Sequence, residues 1–282
     1  MEPRVIFFGT PDFVVPVVSA LYEKDWLAGV VTAPDKKVGR KQILTSSPIK
    51  QWALKNQVPV LTADKFDQKI HSELTALNST LFVIAAYGHL LPQFILDIPG
   101  CGSLNIHPSL LPRYRGPSPI QNAILAGDKT SGVSIIKMDE KMDHGPVLIT
   151  KEISLSEQDT SETLSKKMFD VGADLLIKII PDFITGKVKL KEQNHNQAFY
   201  THIIKKEDGY FDINPPAGGP PSPEILDQII RAYYPWPTAW TKWNNKIVKF
   251  LPGALVQMEG KKPMPLEDFL RGHPNFPIKN LL

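Results

Sequence analysis

The chain has 282 residues, with 32 Lys and Arg against 29 Asp and Glu and a formal charge of +3, a length that suits one large domain or two smaller ones. Apolar residues at 42% and charged residues at 22% match ordinary globular chains and exclude disordered and fibrous classes. No apolar run reaches the roughly 18–20 residues that span a bilayer, and the single cysteine, Cys101, excludes an internal disulfide and a cysteine-built zinc site. The Met-Glu-Pro-Arg start leads into an apolar stretch too short for a signal peptide, so a cytoplasmic protein is expected.

Along the chain, short apolar runs alternate with helical periodicity. Arg4 to Phe8 is an apolar strand closed by Gly9-Thr10-Pro11-Asp12, where a proline sits near the first helical position. Phe13, Val17 and Leu21, with Val14 and Val18 beside them, recur at four-residue spacing and predict an amphipathic helix to about residue 23. Strands are then expected over 27–32, 58–61, 81–86, 103–106 and 133–138, and helices over 48–55, 66–77 and 120–125. Leu164, Met168, Val171, Leu175, Ile179 and Phe183 predict one long helix. This alternation calls for an α/β fold with a doubly wound, mostly parallel, Rossmann-like sheet covered on both faces. Ligands of such sheets bind at the carboxyl ends of the strands. The Gly9 turn is not G-x-G-x-x-G, and no G-x-x-x-x-G-K-[ST] occurs, so dinucleotide and P-loop readings lose their main support.

The segment from Asn214 to Pro223 carries five prolines and two glycines and cannot be helix or central strand. It reads as a surface loop near a domain boundary, giving a first domain over 1–188, a linker region over 189–223 and a small domain over 224–282. From Lys242 to the end, seven Lys and Arg face three Asp and Glu, a balance that hints at a polyanionic partner.

The densest polar constellation is Ser103-Leu-Asn-Ile-His-Pro-Ser-Leu-Leu-Pro-Arg-Tyr-Arg-Gly116. Asn105 and His107 are two residues apart, so on a strand they share a face. An amide and an imidazole aimed together at a cleft suit oxyanion stabilisation and proton handling. Met138-Asp-Glu-Lys-Met-Asp-His-Gly145 forms a second polar turn. From it Asp143 could orient His107, provided the two loops meet at the sheet edge. A metal bound by His107, Asp143 and His144 finds no supporting spacing such as H-E-x-x-H.

Asn105-Ile-His-Pro-Ser-Leu-Leu-Pro112, Arg115-Gly116 and Asp143-His-Gly145 together resemble the signature of the folate-dependent formyltransferases. Phe8-Gly-Thr-Pro-Asp-Phe13, the stretch from Pro34 to Pro48, Ile204-Lys-Lys-Glu-Asp-Gly209 and Tyr234-Pro-Trp-Pro237 fit the branch of that family that acts on methionyl-tRNA. The resemblance runs from about residue 4 to 245. It implies a catalytic domain of formyltransferase fold and transfer of the formyl group of 10-formyltetrahydrofolate to the amino group of initiator methionyl-tRNA. No metal is required, and a monomer is expected. It also implies that Asn105, His107 and Asp143 are catalytic, and that Ser109, Leu110, Leu111 and Pro112 bind the folate. Lys36, Lys37, Arg40 and Lys41, on a loop that would insert at the acceptor end, would contact tRNA. Trp236, between two prolines, reads as domain packing rather than base stacking.

One departure concerns the C-terminal part. The family ends in a barrel related to the OB-fold, which has five strands. Here the runs at Trp240–Trp243 and Lys246–Leu251 lead almost directly to Gly260–Leu270, so a shortened, open C-terminal β domain is expected. Within the same chemistry, an N-formyltransferase for a nucleotide-linked amino sugar shares the catalytic trio, but the basic stretch and the Lys205–Gly209 motif argue against it. A hydrolase releasing formate would use the same trio with water. A non-catalytic RNA-binding descendant would keep the basic tail without a reason to keep Asn105, His107 and Asp143 together.

Overall fold

The computed structural model describes residues 2–39, 41–214 and 219–281. Arg40, one of the basic candidates, lies outside the described residues, as do residues 215–218 of the proline-rich segment. Two compact units are present: one comprises residues 1–116, 131–153 and 166–200, the other residues 117–130, 154–165 and 201–282.

The first unit carries most of a seven-stranded sheet. In chain order its elements are β1 (Val5–Gly9), α1 (Val15–Glu23), β2 (Leu27–Thr32), β3 (Lys36–Val38), β4 (Ile43–Thr45), α2 (Pro48–Lys55), β5 (Val60–Thr62), α3 (Gln68–Ala76), β6 (Leu81–Ala85), α4 (Gln93–Leu96) and β7 (Ser103–His107). After α5 (Pro119–Leu125), which belongs to the second unit, come β8 (Thr130–Lys137), β9 (Val147–Ser154) and the long α6 (Ser161–Ile184). The strand order is β5-β2-β1-β6-β7-β8-β9. The five strands from β5 to β7 are parallel to their neighbours, and β8 turns antiparallel to β7. Strand order reverses between β1 and β6, the switch point at which such sheets leave a crevice.

Every residue of β1 and of β6 is buried, as a sheet covered on both faces demands. Ile6, Phe8, Val31, Leu74, Phe82, Ile84, Tyr87 and Ile95 form one continuous apolar cluster. Helix starts follow local chemistry. Ser47 caps α2 by accepting the N–H of Lys50 at 3.0 Å, ahead of Pro48, and Asp67 caps α3 through the N–H of Ile70 at 2.9 Å.

The stretch from Pro34 to Pro48, expected as a plain loop, contains an antiparallel hairpin pairing Lys36 with Thr45 and Val38 with Ile43. A second correction is β9, which sequence reading passed over because its outer residues are exposed and show no apolar alternation. The 133–138 strand begins three residues earlier, at Thr130.

The second unit holds α5, α7 (Pro223–Tyr233), β10 (Ala239–Trp243), β11 (Lys246–Leu251), β12 (Leu255–Met258), β13 (Met264–Pro265) and α8 (Leu266–Gly272). The last four strands form an antiparallel meander in the order β10-β11-β12-β13. Its inner face packs Val248, Phe250 and Val256 against Leu226 and Ile230 of α7 and Phe269 of α8. The reduced β domain expected from the sequence is therefore a four-stranded sheet backed by two helices. Trp236 is 58% exposed. Among the described residues no helix is long and apolar enough to cross a membrane.

Candidate active site

β7 ends at His107 because Pro108 brings no N–H to continue the ladder. Ile106 faces the other side, so close to α6 that a Cβ on Gly172 would stand 2.7 Å from its Cγ2. Asn105 and His107 therefore project together from the carboxyl end of β7.

His107 is 4% exposed. Its Nε2 lies 2.8 Å from the carbonyl oxygen of Tyr114. A carbonyl only accepts, so Nε2 carries the hydrogen and Nδ1 is the nitrogen left to gain or lose a proton. Nδ1 faces Asp143 Oδ1 at 3.5 Å. That same oxygen accepts the amide N–H of Asn105 at 3.1 Å, and Oδ2 accepts the backbone N–H of Gly116 at 2.7 Å. Asp143 thus gathers the β7 end, the Arg115-Gly116 turn and its own loop around one carboxylate. It does so with φ of +48°, a left-handed conformation that a side chain adopts at a cost and that surrounding bonds must hold.

Those bonds come from a partner that sequence reading did not single out. Gln193, 7% exposed, donates from Nε2 to the carbonyl oxygens of Asp143 and Gly145 at 3.0 and 2.7 Å. Its Oε1 accepts two N–H groups of Arg115, from Nε at 3.1 Å and Nη2 at 2.6 Å. Arg115 is 1% exposed and also donates to Tyr200 Oη and to His195 Nδ1, each at 2.9 Å. The His195 ring stacks on His144, centroids 4.0 Å apart and planes 1° from parallel. Partial desolvation of the exposed His195 ring, then the neighbouring His144, Arg115 and Lys141, hold its pKa below the usual value, with Glu192 opposing. His144 is committed to Asp139, Nδ1 to Oδ2 at 2.7 Å. Among the described residues no three His, Cys, Asp or Glu side chains are grouped to hold a metal ion.

The turn after β7 offers an apolar edge. Ser109 is fully buried; its hydroxyl donates to the Arg113 carbonyl at 2.6 Å, and its own carbonyl accepts from Ser134 Oγ at 2.7 Å. The Leu111 N–H is taken by Ser134 Oγ at 3.2 Å. Ser109 therefore shapes the turn from inside, whereas Leu110, Leu111 and Pro112 remain half-buried.

Lys36, Lys37 and Lys41 sit on a different element, the β3–β4 hairpin, and are exposed. The base of the hairpin is tied to α2 by Lys50, whose ammonium donates to both Asp35 oxygens at 2.8 and 2.9 Å. That hydrogen bond holds the Asp35 carboxyl below the usual carboxylate range. Val38, Ile43 and Leu44 on the hairpin are 55–65% exposed.

A family model described as formyl transferase matches residues 3–180. Among curated relatives, the methionyl-tRNA formyltransferase of Chloroflexus aggregans is 38% identical over 275 residues, covering 96% of this chain and 87% of that protein. Among solved structures, a methionyl-tRNA formyltransferase from Clostridium thermocellum superposes with a TM-score of 0.61 at 17% identity, over 93% of this chain and 96% of the other. A sugar N-formyltransferase from a Shewanella species gives a TM-score of 0.66 at 17% identity, over 88% and 96%. At that identity the likeness of these structures shows the fold alone.

Proposed function

The chain belongs to the formyl transferase family, and on that premise we propose that Asn105, His107 and Asp143 carry its chemistry, within a catalytic region over 1–188. It is an enzyme that transfers the formyl group of 10-formyltetrahydrofolate to the amino group of methionyl-tRNA. The observation that carries this reading is likeness to methionyl-tRNA formyltransferases along nearly the whole chain.

Bound 10-formyltetrahydrofolate supplies an activated formyl carbon. When the amine adds to that carbon, the formyl oxygen becomes negative. Asn105 has one amide hydrogen committed to Asp143, and its second is available for that oxygen. His107, with Nε2–H held by Tyr114, exchanges its proton at Nδ1, which faces the Asp143 carboxylate at 3.5 Å. Asp143 thus takes part in moving the proton lost by the amine toward the departing nitrogen. Leu110, Leu111 and Pro112 supply the apolar wall for the folate ring, and Lys36, Lys37, Arg40 and Lys41 the charge for tRNA phosphates.

The test is incubation of the purified chain with 10-formyltetrahydrofolate and charged initiator tRNA. Formylmethionine on the tRNA is the expected product. Formylation of a nucleotide-linked amino sugar in parallel reactions, with the tRNA left untouched, would overturn the assignment.

A further inference from the structure

We propose that Gln193 is a positioning residue for the reaction, a buried carboxamide that sets the place of the Asp143 carboxylate through the backbone of its loop. The inference rests on the catalytic reading of Asn105, His107 and Asp143 given above.

A carboxamide has two hydrogens to give and two lone pairs to accept with. In Gln193 all four are used: both hydrogens go to carbonyls of the Asp143–Gly145 turn, and both lone pairs take N–H groups from Arg115. The arrangement has one orientation only. A flipped amide would set its NH2 against the guanidinium and its oxygen against two carbonyls, so the network reads the polarity of the side chain as well as its shape.

The geometry explains why such a clamp is needed. Asp143 sits at φ +48°, a conformation of the backbone that its neighbours have to enforce. Gly145 cannot move toward the sheet, because it already lies against the carbonyl oxygen of Lys137, where a Cβ would collide. On the other side, Gln193 ties the carbonyls at 143 and 145 to Arg115, and the next residue, Gly116, returns its N–H to Asp143 Oδ2. The loop is therefore closed from Arg115 through Gln193 to the Asp143 backbone, and from the Asp143 side chain back to Gly116. Gln193 touches none of the three catalytic side chains. Its effect on them passes through the position of a carboxylate that Asn105 and His107 share.

A double-mutant cycle separates positioning from general support of the fold. Gln193→Glu keeps size and the partner of Arg115 but turns both donors toward the carbonyls into acceptors. It is made in wild type and in Asp143→Asn, and formylation of charged initiator tRNA is followed in the full-length protein. Expected is a roughly 10- to 50-fold fall in kcat, with KM for tRNA and for the folate within about twofold, as loss of an interaction felt at the chemical step requires. In the Asp143→Asn background the same change should cost less than about twofold, because the group being positioned is already gone. An equal loss in both backgrounds, or a wild-type kcat for Gln193→Glu, overturns the proposal. If Gln193→Glu does not fold, Gln193→Met, which adds no charge, carries the same cycle with the same criteria. Asp143→Asn alone distinguishes the two levels: a wild-type rate there removes the catalytic reading itself, whereas a large loss there with an additive Gln193 effect removes only the role of Gln193.

Discussion

His107 gives its Nε2 hydrogen to the carbonyl oxygen of Tyr114, 2.8 Å away, and so presents Nδ1 to Asp143. The ring is therefore oriented by backbone, and the carboxylate meets the nitrogen that the Tyr114 carbonyl leaves without a partner. Nitrogen-15 spectra of the protein above neutral pH should show His107 as the Nε2–H tautomer. Signals of the Nδ1–H tautomer would reverse the assignment of which nitrogen handles the proton.

Removing either group should disable the reaction without unfolding the chain. His107→Ala and Asp143→Asn are expected to lower kcat about 10²–10³-fold, the usual cost of losing a positioned acid–base or oxyanion group. Circular dichroism and the thermal midpoint should stay close to wild type. Rates near wild type for both variants would sink the catalytic assignment.

The hairpin should matter for the macromolecular substrate alone. Replacing Lys36, Lys37, Arg40 and Lys41 by Ala should raise KM for charged tRNA. The slope of its salt dependence should fall by about one for each phosphate that no longer has a cation beside it. KM for the folate should barely move. Four coinciding tRNA values, from two proteins at two salt concentrations, would show that the hairpin does not touch tRNA.

The lowered pKa of the exposed His195 should make stability fall slightly in mild acid. Its ordinary pKa is 6.5, and in the fold it is lowered, chiefly by desolvation and then by His144 and Arg115. As pH falls through 6.5 the unfolded chain takes up the proton first, so stability present above that pH is lost progressively down to the folded pKa. Protonation would also remove the lone pair that accepts from Arg115. His195→Gln should show a shallower drop in urea midpoint between pH 8 and pH 5.5 than wild type. Parallel slopes for the two proteins would contradict this.

Gly145 has no room for a side chain. A Cβ there runs into the Lys137 carbonyl oxygen, a backbone atom that cannot rotate away. Gly145→Ala should cost about 1–3 kcal/mol or more by forcing the strand end and the Asp143 loop apart, with kcat falling as well. A chemical-denaturation curve superimposable on wild type would show that the turn gives way freely.

Much of the fold was legible because its signals are local. The β1 run and the four-residue spacing of Phe13, Val17 and Leu21 each act within a few residues. The pair Asn105 and His107 was legible for the same reason: a period of two fixes their shared face. Asp143 could be named from its motif, but its partners Asn105 and Gly116 lie 38 and 27 residues away, and nothing in the spacing records that. Gln193 was harder still. It stands fifty residues from Asp143 in an irregular segment, and glutamines there are ordinarily solvated. β9 escaped because exposed strand residues show no apolar alternation, and the hairpin because its apolar residues, Val38, Ile43 and Leu44, face solvent.

A two-stranded ribbon of three residues a side is marginal by itself in water, and the β3–β4 ribbon spends its apolar side chains outward. The Asp35–Lys50 pair at its base secures where the ribbon starts without supplying an interior for it to fold around. The ribbon should therefore be the first place a protease enters the native protein, and a nick between Val38 and Ile43 would leave the β7 chemistry whole. On the role proposed for the ribbon, such a nicked enzyme would separate holding from making: the Asn105–His107–Asp143 geometry would persist, while affinity for tRNA would go with the severed ribbon.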